Sequence, residues 1–406
     1  MTDRDHTVGL EADRLAYDKA MVAEPVWNRM ETAADAVSLP RDLLLHAGPA
    51  FSPGRRPPPP VENSACVAAV FEGLAEDFDE ASRRIAAGTI RLAPAQDFDV
   101  VTPLATVVSS SMQLHAVYDA HRGRVRAFAP INGGSGAAAR FGLRKLSVVE
   151  HLRWLNGPFC DVLRAGIAEG IALVPIAAES VRKGDDCHAY TPVATKLLIR
   201  ELRERTVKPC ADERSVRFMN SSPSLFLNLW MAAVKCALKA AEGTTGSTLV
   251  VAAGGNGLEF GIRLAGSPQR WITAHADSPI GKFDVEASAD RALGAIGDSA
   301  IIDAFGLGAM SFHLSPVQQS AFESFMPDDI DIRRKRLYVG SHIGFENLNL
   351  RFGLSATAVR RLQAGPVISL GVLDRLGVLG RLGGGIYDVS TEIFARAEAA
   401  QARQQI

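Results

Sequence analysis

The most constraining stretch of the sequence is GSTLVVAAGGNGLEFGIRLAG, residues 246–266, in which two apolar runs flank a Gly-Gly-Asn-Gly turn. Asn-Gly supplies the positive φ angles that tight turns need, so the stretch predicts an antiparallel β-hairpin. It lacks the Lys-Ser/Thr pair of a P-loop and the spacing of a dinucleotide-binding fingerprint. Two interpretations stay open. Glu259 and Arg263 form the cross-strand ion pair of a plain turn, or they bind an anion together with Asn256, Gly257 and free backbone amides.

The other helix and strand signals do not alternate regularly. Apolar positions at helical spacing predict a helix within residues 10–36, and strand-like runs occur at RDLLLHAGP, TIRLAP, FDVVTPLATVV, LHAVYDA and RVRAFAP. A turn at His121 joins the last two runs into a predicted hairpin. Residues 147–209 are helical in pattern almost throughout. We therefore expect an α+β fold, with two mixed α/β units and a small all-helical subdomain between them, rather than a doubly wound sheet.

A proline run marks the first predicted boundary. Residues 55–60, RRPPPP, cannot form a helix and predict an extended connector. The predicted segments are residues 1–60 for an N-terminal helix, a strand and the Pro-rich connector, 61–146 for the first α/β unit, 147–212 for the helical subdomain, and 213–406 for the second α/β unit with its C-terminal helix.

Composition and charge exclude several classes of protein. The 44 basic and 45 acidic residues leave a formal net charge of −1, so we expect no nucleic-acid partner. The N-terminus is charged throughout and lacks the apolar core of a secretory signal. The apolar runs are too short to cross a bilayer, so we expect a cytoplasmic protein without a membrane span.

The five cysteines predict little chemistry. They are odd in number and widely spaced, without a Cys-x-x-Cys pair, so neither a disulfide framework nor a structural zinc site is expected. We expect no metal and no other cofactor. Cys187 lies in a polar motif and could be a nucleophile, but a small buried hydrophobe is the favoured interpretation. The cysteines are Cys66, Cys160, Cys187, Cys210 and Cys236.

A second glycine-rich segment is NGGSGAAARFG, residues 132–142, which follows a predicted strand. The small residues Gly133 and Gly134 let a ligand or another backbone approach closely, and Arg140 could meet an anion at the start of a helix. Asn132 would orient the ligand. The alternative is a flexible connector between the strand region and the helical subdomain.

The segment RKGDDCHAYTPVATKLL places Asp185, Asp186 and His188 directly before a predicted helix. One aspartate could cap that helix, which is the favoured interpretation. A carboxylate beside an imidazole can also orient a general base or supply two metal ligands. A metal site would need a further ligand from elsewhere in the chain.

The segment GAIGDSAIIDAF places Asp298 and Ser299 after Gly297 and before apolar residues at helical spacing. This order of Asp298 and Ser299 favours an N-cap. A Gly-Asp-Ser turn could alternatively bind a phosphate through its amides and hydroxyl. Both interpretations remain open from the sequence.

Seven motifs in this order resemble one protein family. LLHAGP, NGGSG, HLRWL, GDDCH, LFLNLWMAAVK, GSTLVVAAGGNGLEFGIRLAG and IGDSAII are similar to segments of the YlbE/AllG-type proteins, long known as a domain of unknown function. The resemblance extends over roughly residues 40–395. It implies a subunit of the bacterial oxamate carbamoyltransferase, which interconverts oxalurate plus phosphate with oxamate plus carbamoyl phosphate in allantoin breakdown.

The resemblance also implies partners. Family members work beside a subunit that resembles an acyl-CoA synthetase and beside a third, smaller subunit, and we further expect a homo-oligomer. The small-molecule ligands would be phosphate and a carbamoyl or amide compound. Arg140 and Arg263 with the glycine-rich loops would bind the anions, and His188 with Asp185 or Asp186 would remove the amide proton.

The sequence departs from the family pattern at polar positions. The family commonly has Asn-Glu-Gly around Gly133, Asn-Arg-Asn after His188, Asn-Asp-His before LFLNL, and Arg at position 255. Here the chain has Gly133, Ala189-Tyr190-Thr191, the SSPS of residues 221–224, and Gly255. Loss confined to polar positions suggests another substrate or little intrinsic activity. The leading hypothesis is a carbamoyltransferase-family protein, and the alternative is a non-catalytic subunit that binds a small anion.

Overall fold

The computed structural model describes residues 3–206 and 212–402, so that Cys210 lies outside the described residues. Within these ranges the helices are α1 (Asp3–Met21), α2 (Ala33–Val37), α3 (Pro59–Glu72), α4 (Phe78–Ala86), α5 (Leu146–Trp154), α6 (Cys160–Ala165), α7 (Leu173–Arg182), α8 (Pro192–Arg205), α9 (Glu213–Ser221), α10 (Leu225–Lys239), α11 (Ala300–Phe305), α12 (Pro316–Phe322), α13 (Ile330–Arg336), α14 (Ala356–Leu362) and α15 (Thr391–Ala402). The strands are β1 (Pro25–Thr32), β2 (Leu43–His46), β3 (Arg91–Pro94), β4 (Gln113–Asp119), β5 (Arg126–Pro130), β6 (Ile171–Ala172), β7 (Val250–Asn256), β8 (Glu259–Leu264), β9 (Ser267–His275), β10 (Ile280–Phe283), β11 (Ile296–Gly297), β12 (Tyr338–Gly340), β13 (Phe352–Leu354), β14 (Val367–Leu373) and β15 (Arg381–Asp388).

The first sheet has the antiparallel order β5-β4-β1-β6. Its β4–β5 hairpin turns at the predicted place, around His121. The predicted helix over residues 10–36 is wrong in its second half, because α1 ends at Met21 and β1 begins at Pro25. Proline opposes continuation of a helix, and pairing on both edges of β1 fully buries Trp27.

The predicted strand FDVVTPLATVV is an irregular segment after a 3-10 turn at Ala95–Phe98. Its backbone donors are satisfied individually by distant segments, since Val101 N donates to Phe128 O at 2.8 Å and Thr102 N donates to Asp298 Oδ2 at 2.9 Å. Pro103 supplies no donor for a strand ladder. Apolar residues alone therefore did not distinguish a strand from a buried loop.

The described second half of the chain contains three further sheets, β11-β7-β8-β9, β10-β15-β14 and the two-stranded β12-β13, all antiparallel. The hairpin predicted from the opening motif is confirmed as β7–β8. Of its turn residues Gly257 takes the positive φ, 86°, whereas Asn256 remains at the end of β7. The antiparallel sheets and the surrounding helices confirm the expected α+β class.

Helix α10 joins the two halves of the fold. Every residue from Leu225 to Leu238 is buried, because the helix packs against the first sheet on one side and against β7 and α11 on another. A helix that is apolar around its circumference is stable only when it is covered on all sides. Its buried Lys235 is compensated by Glu242 Oε1 at 2.8 Å.

The region predicted as a helical subdomain contains α5 to α8 and the two-residue strand β6, which pairs with β1. The apolar residues of α6, α7 and α8 share one core with α1, β1 and α10, whereas Val148, Val149 and Leu152 of α5 belong to a second core with α3. The domain boundaries themselves stay a prediction. Among the described residues, no helix is both long and apolar enough to span a membrane.

We expect His115→Phe to stabilise the protein, and more strongly at acidic pH. His115 on β4 is fully buried beside the Trp27 ring, and neither ring nitrogen has a hydrogen-bond partner among the described residues. Burial lowers the pKa of His115 from 6.5 to about 3. Between these two pH values the unfolded chain binds a proton at this residue and the folded chain does not. The free energy of unfolding is therefore unaffected by His115 above pH 6.5 and decreases as the pH falls from 6.5 toward 3.

Urea unfolding of the wild type and the variant at pH 7.5 and pH 5 checks this expectation. The free-energy gap between the two proteins should widen by about 2 kcal/mol at the lower pH. His275→Gln alters a histidine on the surface, so its free energy of unfolding should differ from that of the wild type by the same amount at both pH values. An equal gap for His115→Phe at both pH values would contradict the assignment of a buried neutral imidazole.

Candidate functional site

A cavity of about 740 Å³ lies where the loop after β5, the loop before α8, the start of α11, helix α12 and strands β10, β14 and β15 meet. Three residues that the sequence singled out line it, namely Arg140, His188 and Ser299. They come from segments that are far apart in the chain. The cavity is therefore the candidate functional site.

His188 is held in the cavity wall by two buried groups. Its Nδ1 lies 2.6 Å from Asp303 Oδ2 and 3.1 Å from Ser369 Oγ. A carboxylate only accepts hydrogen bonds, so Nδ1 donates its proton to Asp303, and in the neutral ring the lone pair is then on Nε2. The ring is only 5% exposed, and Asp303 is completely buried. This arrangement presents Nε2 as a base in a site with little water.

Asp303 is itself fixed by the backbone. Its Oδ1 accepts hydrogen bonds from Ala309 N at 2.8 Å and Ser369 N at 3.3 Å. Burial raises the pKa of its carboxyl, while His188 and these donors act in the opposite direction. The buried Tyr338 hydroxyl donates to the Asp303 backbone oxygen at 2.6 Å. Asp303 thus orients His188 from a rigid position on α11.

The two aspartates predicted beside His188 have different roles. Asp185 accepts from Val193 N and Ala194 N in the first turn of α8, at 3.3 and 2.8 Å, which confirms the capping interpretation. Asp186 Oδ1 accepts three amides, those of residues 188–190, and so shapes the loop that carries His188. Burial raises the pKa of Asp185 to about 6 and that of Asp186 to about 7. Neither carboxylate is the hydrogen-bond partner of the His188 ring.

Arg140 is a partly buried cation without a carboxylate partner among the described residues. Its guanidinium donates to Gly134 O at 2.8 Å, Asn132 Oδ1 at 3.3 Å and Ser224 Oγ at 3.4 Å. Burial, reinforced by Arg381, lowers the pKa of Arg140 to about 10, so the group stays charged at neutral pH. A desolvated guanidinium that is paired only with neutral oxygens attracts an anion.

The loop around Arg140 is anchored to the core rather than flexible. Asn132 Oδ1 accepts from Gly134 N at 2.9 Å, and Asn132 Nδ2 donates to Asn228 Oδ1 at 2.9 Å. Asn228 projects from α10 and donates in turn to Pro130 O at 2.8 Å. The carbonyl of Gly133 meets His151 Nε2 at 2.9 Å. The glycines therefore act through their backbone, and Asn132 positions Arg140.

Other charged groups at the cavity add positive potential. Lys282 on β10 and Arg381 on β15 line it, and Asp284 is an acidic lining residue that pairs with Arg381. With Arg140, the cavity lining therefore contains three cationic side chains and one carboxylate, and that carboxylate pairs with Arg381. The charge favours a small anionic ligand.

Asp298 is a structural crosslink and not an N-cap. Its Oδ1 accepts from Gly48 N and Gln96 Nε2, at 2.9 and 2.7 Å, and its Oδ2 accepts from Thr102 N at 2.9 Å. The N-cap position of α11 belongs to Ser299, whose side chain makes no capping bond. Burial raises the pKa of the Asp298 carboxyl to about 6. Of this pair, Ser299 lines the cavity.

The hairpin residues Asn256, Gly257, Glu259 and Arg263 do not line the cavity. Arg263 forms an ion pair with Asp97 and lies over the Trp271 ring, 4.4 Å from its centroid, so the predicted pair with Glu259 does not form. Glu259 Oε1 instead accepts from Thr273 Oγ1 at 3.3 Å.

Asn256 shapes the hairpin turn and ties it to a distant loop. Its Oδ1 accepts from Leu258 N at 3.0 Å and Glu259 N at 2.8 Å, and its Nδ2 donates to Pro49 O at 2.9 Å. Gly257 supplies the positive φ of the turn and packs beside Leu293. The plain-turn interpretation therefore describes the hairpin, although without its expected ion pair.

Cys187 is inert in this arrangement. It is fully buried with a positive φ of 61°, and its Sγ lies 3.2 Å from Ser180 Oγ. Burial raises the pKa of the thiol well above its usual range, so the nucleophilic thiolate is disfavoured. The buried-hydrophobe interpretation describes this residue.

Sequence reasoning missed Asp303, Ser369, Asn228 and Gln318. A faint signal existed for two of them, because Asp303 interrupts the apolar run AIIDAF and Asn228 interrupts LFLNLW. A polar residue inside a run that must be buried needs a specific partner. Ser369 and Gln318 carried no such signal, since serine and glutamine are ordinary surface residues.

We expect inorganic phosphate to stabilise the wild type through Arg140. At ten times its dissociation constant, phosphate should add about 1.4 kcal/mol, which corresponds to roughly 2 °C in the thermal midpoint. Arg140→Met should abolish this shift, because the apolar side chain offers no charge. Differential scanning fluorimetry with and without phosphate measures it.

Arg263→Met is the matched control, since it removes a buried arginine outside the cavity. Its midpoint should fall in the absence of phosphate, while the phosphate-induced shift should survive. Loss of the shift in Arg263→Met but not in Arg140→Met would overturn the placement of the anion site.

Comparisons with known proteins agree with the sequence resemblance. In Escherichia coli K12, the protein named oxamate carbamoyltransferase subunit AllG is 26% identical over 409 residues, and the match covers 97% of both chains. The uncharacterized protein YahG of the same strain is 29% identical over 403 residues, covering 95% of this chain and 84% of YahG. A crystal structure of a conserved protein of unknown function from Enterococcus faecalis V583 has 25% identity, a TM-score of 0.90 and 97% coverage of each chain.

A family model settles the relationship. The model described as oxamate carbamoyltransferase subunit AllG matches residues 90–299, which is more than half of the chain and contains Arg140, His188 and Ser299. The resemblance stated from the motifs is thereby confirmed. This chain belongs to the AllG family.

Proposed function

We propose that the protein takes part in carbamoyl transfer between phosphate and a small amide or ureido acid, and that the cavity binds these reactants. The observation that carries the proposal is one cavity lined by two groups. One is the partly buried Arg140, which has no carboxylate partner among the described residues, and the other is His188, whose Nδ1 is engaged by Asp303. A cation for an anionic reactant and an oriented base are the two groups that this reaction needs.

The chemistry divides between these groups. In the synthetic direction the amide nitrogen of an oxamate-like acid attacks the carbamoyl carbon of carbamoyl phosphate, and a C–N bond forms as the C–O bond to phosphate breaks. His188 Nε2 accepts the proton that the nitrogen loses. Phosphate leaves with the bonding electron pair, and Arg140 stabilises its charge. In the reverse direction phosphate attacks the ureido carbon and His188 returns the proton to the leaving nitrogen.

The residues around these two groups support the reaction by holding them still. Asp303 and Ser369 fix the His188 ring, and Asn132 and Ser224 fix the Arg140 guanidinium. Donors and charges that are positioned before the reaction stabilise the transition state without reorganisation. Ser299 at the cavity wall is a further donor for a substrate oxygen.

Action in a complex is part of the proposal. The AllG relative of E. coli is named as a subunit of its enzyme, and activity of this chain beside an acyl-CoA-synthetase-like subunit follows from the family resemblance. A cytoplasmic location and a homo-oligomeric state belong to the same proposal.

We expect phosphate-dependent cleavage of oxalurate or a related ureido acid, assayed with and without the partner subunits. His188→Asn should lower kcat/KM by about 10²- to 10⁴-fold, because general base catalysis is lost. Asp303→Asn should lower kcat and shift the pH profile with KM nearly unchanged, since it acts through His188. His275→Asn, on the surface, is the control that should keep full activity. Full activity in His188→Asn would refute the assigned base.

A second candidate function is that of a non-catalytic subunit that binds a small anion. It is favoured by the cavity wall at Ala189, Tyr190 and Pro223, where the family resemblance leads one to expect polar side chains. Ligand-induced stabilisation without turnover, even with the partner subunits present, would support this function and exclude the first.

A further inference from the structure

Gln318 is a buried side chain whose hydrogen-bonding capacity is not used by the protein. It lies on α12, is only 8% exposed, and its Oε1 is buried without a hydrogen-bond partner among the described residues. Gln318 also lines the cavity. A buried acceptor without a partner costs about 1–3 kcal/mol, so its presence at a ligand cavity indicates that a ligand supplies the missing partner.

The position of Gln318 is fixed relative to His188. Helix α12 begins after Ser315, whose Oγ donates to Gly184 O at 2.6 Å, and Gly184 begins the turn that leads to His188. Farther along α12, Phe322 packs beside Phe312 and also lines the cavity. Gln318 and His188 are therefore held in adjoining parts of one wall by a direct hydrogen bond between their segments.

The cavity also has an unused donor. Arg140 Nε is buried and has no partner among the described residues, and its guanidinium has no carboxylate. A ligand that satisfies both residues must offer an anionic oxygen to Arg140 and a hydrogen-bond donor to Gln318. A keto acid has the first group but lacks the second, whereas an amide or ureido acid, like protonated phosphate, offers both.

We propose that Gln318 is a specificity-determining residue that recognises the carboxamide or ureido group of the ligand. The side-chain carboxamide accepts from the ligand N–H and can donate to the ligand carbonyl, while Arg140 binds the ligand anion. The ligand class is thus a small acid bearing a primary amide or a ureido group. This inference rests on the proposed function in that the cavity is taken as the ligand site, but it does not require that the protein catalyses the reaction.

The expected selectivity follows from the unpaired acceptor. A site that is built to hydrogen-bond an N–H rejects an analogue that lacks it, because the acceptor is then left buried and unpaired. Oxamate and pyruvate form a matched pair of probes, since pyruvate has a methyl group in place of the amide nitrogen. We expect the wild type to bind oxamate at least tenfold more tightly than pyruvate.

The test is a cycle of two ligands and two proteins, measured by isothermal titration calorimetry. Gln318→Met keeps a similar side-chain length but removes both polar atoms. Its oxamate-to-pyruvate preference should fall to nearly one, while its affinity for pyruvate should be retained. Gln319→Met, at the exposed neighbouring position on the same helix, should keep the preference of the wild type.

Stability provides a second measurement on the same variants. Because Gln318→Met replaces an unsatisfied polar group with an apolar one, we expect its thermal midpoint without ligand to equal or exceed that of the wild type. Gln318→Leu serves as a second apolar variant with the same expected loss of selectivity. A large fall of the midpoint in both variants would show that Gln318 has a structural role, and would overturn the proposal.

Three binding results would also overturn it: no binding of oxamate by the wild type at 10 mM, equal binding of the two acids by the wild type, or an unchanged preference in both apolar variants. Failure of the proposed function gives a different pattern. Amide selectivity that depends on Gln318, without phosphate-dependent turnover in any assay, would keep the recognition role and remove the enzymatic one.

Discussion

Helix α10 is apolar around its whole circumference, so it must be covered on every side to be stable. The first sheet, the helices α7 and α8, and the β7–α11 region provide that cover. Of the polar groups that α10 brings into the core, Asn228 and Lys235 have defined partners, whereas Trp230 Nε1 has none among the described residues. The requirement to bury one helix therefore brings the two halves of the chain together and sets where the cavity forms.

The candidate site uses the same buried framework on both of its walls. Asn228 on α10 holds Asn132, which holds Arg140, and Asp303 on the neighbouring α11 holds His188. Arg140 and His188 are thus each positioned from a core helix, His188 directly by Asp303 and Arg140 through Asn132. Buried hydrogen bonds are costly to break, so the geometry of Arg140 and His188 is maintained without a ligand. This pre-organisation is what anion binding and proton transfer both need.

Prediction from the sequence succeeded where the signal was local. The two hairpins, the Asp185 cap and the α+β class follow from turn chemistry, capping and apolar periodicity over a few residues. It failed where a partner came from a distant segment. Arg263 pairs with Asp97 rather than with Glu259, and Asp298 binds Gly48 and Thr102 rather than capping α11. Glu259 and Arg263 lie four residues apart on one strand, about 13 Å, which is too far for an ion pair, and spacing does not name a partner from a distant segment.

By itself the sequence determined the family, the secondary-structure types of the strongest segments, and three residues of the cavity, Arg140, His188 and Ser299. Only the tertiary structure decided which carboxylate serves His188. It also decided that, among the described residues, Arg140 has no carboxylate partner and the Gln318 acceptor is unpaired. The physical reason is that charge compensation and hydrogen-bond satisfaction depend on distances of about 3 Å between segments that are far apart in the chain. Those distances are set by packing of the whole core.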